Sequence, residues 1–107
     1  MTTGMENQTE MKLYMIEMEL PEEMNEEFVR LIPAQRNVVN YLLAEGKIKS
    51  YSLALDRSLL WVVMVASSEF EVMDTISEFP LIDFMKPYVS ELAFHNSREQ
   101  VLQFSMN

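Results

Sequence analysis

His95 is the one histidine in the chain, and an imidazole is the side chain most often used to move a proton near neutral pH. It is a candidate base; its alternative role is a strand-end imidazole bonded to a backbone carbonyl. Glu17 and Glu91 are the other titratable candidates. A glutamate enclosed by apolar side chains has its pKa raised toward neutrality and can then accept a proton in catalysis. Paired with Lys49 or Arg57, or turned to water, the same carboxylates do no chemistry. Tyr51, Trp61, Leu13 and Met15 offer aromatic and apolar walls for a small organic ligand, or equally for a core or an interface. The site read from the residues has His95 or Glu17 as the base acting on a ligand that Tyr51, Trp61, Glu91, Leu13 and Met15 bind.

Other chemistries lack their residues. The chain has no Cys, and its ten Met residues form no ligand stripe, so a transition-metal site is not expected. Ser67 and Ser68 sit in no Gly-x-Ser-x-Gly context. Gly4 and Gly46 are the only glycines, too few for a phosphate-cradling loop. No metal and no organic cofactor is expected. Phosphate recognition draws on clustered Lys and Arg. Here eight such residues are scattered through a chain of net charge -9 and pI near 4.4, which argues against nucleic acid and against an anionic membrane surface. Residues 6–27 carry eight acids against Lys12 alone, a solvated acidic face.

These side chains need a scaffold, and periodicity supplies one. From Lys12 to Leu20, Tyr14, Ile16, Met18 and Leu20 alternate with Leu13, Met15, Glu17 and Glu19, which predicts a strand ended by Pro21. Asn25 caps a helix whose start is acidic and whose apolar stripe includes Phe28, Leu31, Ile32, Val38, Val39, Leu42 and Leu43; Gly46 stops it. Pro33 either kinks that helix or separates two starts. Ile48–Leu55 predicts a second strand, Asp56-Arg57-Ser58 a turn, and the Val-rich run 59–66 a third strand buried on both faces. Ser67 or Ser68 caps a second helix with Phe70, Val72, Met73, Ile76 and Phe79 inward, closed by Pro80; Tyr88–Phe94 is the fourth strand, ending at His95.

The order β-α-β-β-α-β predicts an α+β fold, a ferredoxin-like subunit. Both helices cover one face of such a sheet. The other face, bearing Leu13, Met15 and one side of the third strand, is too apolar to meet water. Laid against a second copy it encloses a small cavity, so the expected assembly is a homodimer forming a dimeric α/β barrel around a small-molecule ligand. Residues 1–10 read as a polar leader, 11–96 as the domain, and 97–107 as a tail. Alternating Leu102, Phe104 and Met106 would either cross the partner or fray. The start of the chain does not read as a signal peptide, and no run approaches the roughly 20 apolar residues of a spanning helix; the expected setting is soluble and cytoplasmic.

From Pro80 onward, Pro80-Leu81, Phe84-Met85, Val89, Leu92, His95 and Ser97 resemble the closing segment of muconolactone isomerases, and Leu20-Pro21 and Glu45-Gly46 also sit where that family has similar pairs. The resemblance covers residues 12–97. It implies a ferredoxin-like subunit, a dimeric barrel, assembly of dimers into larger rings, and no cofactor. Active members move a proton within an unsaturated lactone acid. This chain departs from their pattern: Glu17 and Glu19 stand where the first strand tends to be basic, and Ser52 and Leu53 where the second carries arginine and tryptophan.

Overall fold

The computed structural model of the protein describes residues 10–97. The expected leader (apart from Glu10) and the tail beyond Ser97, with Leu102, Phe104 and Met106, lie outside them. The chain runs β1 (Lys12–Glu19), α1 (Glu26–Glu45), β2 (Ile48–Leu53), β3 (Leu59–Ala66), α2 (Glu69–Ile76), a single 3₁₀ turn (Ile82–Phe84) and β4 (Lys86–Glu91). The strands form one antiparallel sheet in the order β2-β3-β1-β4. This is the ferredoxin-like α+β arrangement, with β1 and β3 at its centre.

Local chemistry sets the helix ends. Asn25 accepts a hydrogen bond from the Phe28 N–H at 2.9 Å, and Glu26 and Glu27 occupy the first turn, where the helix dipole favours negative charge. At the other end Gly46 takes φ 82°; its N–H donates to the Leu43 carbonyl and that of Lys47 to Leu42, a Schellman closure. Pro33 lies exposed within one continuous 20-residue helix, so it neither divides α1 nor begins a second one. α2 starts at Ser68, whose hydroxyl accepts from the Glu71 N–H at 3.1 Å. The Glu71 carboxylate reaches back to the N–H and hydroxyl of Ser67 and is joined there by Lys47, the residue before β2.

Cross-strand register sorts the sheet into two faces. Tyr14, Ile16 and Met18 of β1 lie opposite Met64, Val62 and Leu60 of β3. All six are buried, with Val39, Val72, Ile76 and Phe79 packed over them. Leu13, Met15 and Glu17 lie opposite Val65, Val63 and Trp61 on the other face. Between Ile48 and Ser50 the pairing of β2 shifts by one residue, a bulge at Lys49. Because side chains alternate along a strand, this bulge puts Tyr51 and Leu53 on the same, helix-covered face as Ile48.

Three expectations are corrected. β4 spans Lys86–Glu91 and not 88–94, so His95 does not end it. β2 ends at Leu53, and Leu55 is exposed in the turn. Phe70 and Met73 do not join the inward stripe of α2: they are 81% and 42% exposed, because the turn of the helix points them away from the side that buries Val72 and Ile76.

Candidate functional site

The sequence-derived site residues divide between the faces of the sheet. Leu13, Met15, Glu17 and Trp61 share the open face, where the Trp61 indole N–H donates to the Glu17 carboxylate at 3.0 Å. Glu19 lies on that face as well, opposite Leu59. Glu91 does not accompany them. It pairs in register with Tyr14, on the helix side, and lies at the sheet edge 4.0 Å from the Lys12 ammonium. Tyr51 is likewise on the helix side, opposite Val62, and therefore on the far side of the sheet from Trp61. His95 is exposed in the segment after β4. The two candidate bases, His95 and Glu17, thus stand on different parts of the molecule from Tyr51.

Tyr51 belongs to a cleft that the sequence reading did not anticipate. About 560 Å³ of space lies between α1, the exposed end of β2, the 56–58 turn and the segment leading into the 3₁₀ turn, within the size range of small-ligand sites. Its walls are mostly apolar: Leu20, Met24, Phe28, Ile32, Val39, Leu43, Leu53, Leu60, Leu81 and Met85. Phe28 and Phe84 meet edge to face, centroids 5.4 Å apart, and so hold the segment carrying Leu81 and Met85 against the start of α1.

The polar groups in this cleft are few. Gln35, 4% exposed, is the one buried polar residue among those described. Its Oε1 accepts from the Leu81 N–H at 3.1 Å, and its Nε2 donates to the Tyr51 hydroxyl at 3.1 Å. Burial pushes the Tyr51 phenol up, against a smaller lowering by the Gln35 bond. Asn40, Arg36 and Arg57 complete the lining. Arg36 follows Gln35 on α1. Arg57 sits at the tip of the β2–β3 turn with φ 65°, its N–H bonded to the Ala54 carbonyl at 2.9 Å. The Asp56 carboxylate in that turn is occupied by the Ser58 N–H and hydroxyl, which hold its pKa down. Among the described residues neither arginine has a carboxylate within ion-pair distance.

This arrangement can hold an apolar body against α1 and the sheet, with guanidinium groups for an anionic end and a phenol for a neutral oxygen. None of the lining residues is a carboxylate or an imidazole. Among the described residues no group of acidic, His or Cys side chains is arranged to hold a metal ion, and no helix is long and apolar enough to cross a membrane.

Two signals for the cleft were present in the sequence. Gln35 falls inside the stripe Phe28, Ile32, Val39, where a polar side chain must find a partner once buried. The apolar parity of β2 also switches between Ile48 and Tyr51, the mark of a bulge. Arg36 carried no signal, because a helix-surface arginine is ordinary.

No curated protein matches the chain. The family model described as muconolactone delta-isomerase matches residues 12–98, from the start of β1 past the end of β4. The chain therefore belongs to the muconolactone delta-isomerase family.

Proposed function

We propose that this muconolactone isomerase-like protein binds a small, largely apolar carboxylic acid in the cleft between α1 and the sheet. The observation that carries this reading is the placing of Arg36 and Arg57, with no carboxylate partners among the described residues, on a mostly apolar wall. A carboxylate leaving water needs such a cation, and guanidinium meets it with paired hydrogen bonds. Glu17 and Glu19 stand on the opposite face and do not oppose an anion here. Tyr51 is the ligand-binding residue retained from the sequence reading. Leu13, Met15, Glu17 and Trp61 are assigned instead to the contact between two copies of the chain.

Isomerisation of an unsaturated lactone acid is the second reading, favoured by the family match. It requires a base beside the ligand. Arg36, Arg57 and Tyr51 are the titratable residues lining the cleft, and burial disfavours the phenolate. The geometry therefore supports binding more strongly than proton abstraction. Calorimetric titration with muconolactone, with a parallel assay of its loss, tests both. The expected result is saturable binding, weakened at least tenfold when Arg36 and Arg57 are both changed to Ala, and turnover well below the ordinary enzyme value of about 10 per second. Equal affinity in the native and doubly substituted proteins would remove the acid-binding reading. Turnover at the ordinary rate would establish the isomerase.

A further inference from the structure

The buried polar pair in the cleft has a direction, and the backbone sets it. The Leu81 N–H can only donate, so the end of the Gln35 side chain that it meets at 3.1 Å is the oxygen. The other end is then the NH₂ group, facing the Tyr51 hydroxyl at 3.1 Å. An amide nitrogen has no lone pair to offer, so it donates and the phenol oxygen accepts. The phenol hydrogen cannot turn back toward Gln35. Among the described residues no other protein acceptor takes it. Tyr51 lines the cleft, so this hydrogen is available to whatever occupies it.

We propose that Tyr51, aimed by Gln35, is a specificity-determining donor: the cleft prefers a carboxylic acid that also carries a carbonyl oxygen over one whose second polar group is a donor or is absent. The inference rests on the acid-binding reading and adds to it a second point of recognition, separate from the arginines. Tyr51 touches the ligand; Gln35 is a positioning residue that acts through it. Burial holds the phenol in its protonated, donating form. A site that offers a buried donor discriminates against ligands that leave that donor unpaired.

Calorimetric titration with cyclohexanecarboxylate and with its 3-oxo and 4-oxo derivatives tests this, because the three acids share a ring and a charge. At least one oxo acid should bind the native protein about three- to tenfold more tightly than the parent acid, the worth of one net hydrogen bond. Tyr51→Phe should abolish that ratio, because the donor that tells the oxo acids from the parent acid is gone. Gln35→Glu should also abolish it, although the hydroxyl remains. The new carboxylate accepts from both the Leu81 N–H and the phenol, and so turns the phenol hydrogen away from the cleft. A merely structural role for Gln35 would weaken all three acids and keep their ratio. No preference in the native protein, or a preference surviving in Tyr51→Phe, overturns the proposal. The acid-binding reading then still stands, provided that cyclohexanecarboxylate binds and loses affinity when Arg36 and Arg57 are replaced. Failure of all three acids to bind overturns that reading and this proposal with it.

Discussion

Arg57 combines two opposed properties. Its backbone lies in the left-handed region at φ 65°, which is unfavourable for a residue with a Cβ, while its side chain lines the cleft. Arg57→Gly should therefore raise stability by about 1 kcal/mol and weaken carboxylate binding; urea denaturation and calorimetry on the same sample would show the opposed changes. Glu71 carries a pH-dependent contribution. Lys47, and then the Ser67 hydroxyl and N–H, pull its carboxyl from 4.5 down to about 2. A depressed folded-state pKa adds stability that is present above the unfolded value and is lost as the pH falls from about 4.5 toward about 2. At pH 7, Glu71→Gln should cost about 1 kcal/mol, the scale of a helix-cap bond or a partly exposed ion pair. The difference from the native protein should vanish by about pH 2. An undiminished difference at low pH would assign the effect to packing and not to charge.

At the scale of elements, α1 is the wall on which the cleft is built, and it tolerates a proline in its interior. Pro33 lacks the N–H that would bond to Val29 and is exposed, so nothing in the core depends on its ring. Pro33→Ala should stabilise the protein by about 1–2 kcal/mol, read as a higher urea midpoint with an unchanged slope. Most of this scaffold was legible from residue types: Asn25, Gly46 and Ser68 carry the capping chemistry that ends helices, and β1 and β3 alternate or fill as strands in a sheet must. The ends of β2 and β4 were less so, because Leu55 and Phe94 continue an apolar pattern where no neighbouring strand remains to pair with them. The cleft was legible only in part: Gln35 and the parity switch in β2 mark it, but local pattern does not determine that α1 stays continuous past Pro33. Without the bulge at Lys49, Tyr51 and Trp61 read as walls of one site, whereas the sheet separates them.

The whole molecule presents two unlike surfaces. On the helix side lies the cleft; on the other, the half-buried Leu13, Met15, Trp61 and Val65 form an apolar face suited to a second copy of the chain. The two faces of β3 should respond differently to charge. Val62→Asp, in the core beneath the helices, should prevent folding, because a buried unpaired charge costs several kcal/mol of a total near 5–15. The native protein should sediment as a dimer, and Val65→Asp, on the open face, should leave a folded monomer; a native protein that sediments as a stable monomer would contradict the pairing. The proposed ligand site is the helix-side cleft and not a space between two sheets. The indole N–H of Trp61 reports on the open face, and the backbone amides of Gln35, Tyr51 and Leu81 report on the cleft. Titration of ¹⁵N-labelled protein with muconolactone, followed by amide and indole chemical shifts, compares the two directly. The account predicts saturable shifts at Gln35, Tyr51 and Leu81 with the Trp61 indole unmoved; a shifted Trp61 indole with those three amides unmoved would contradict it.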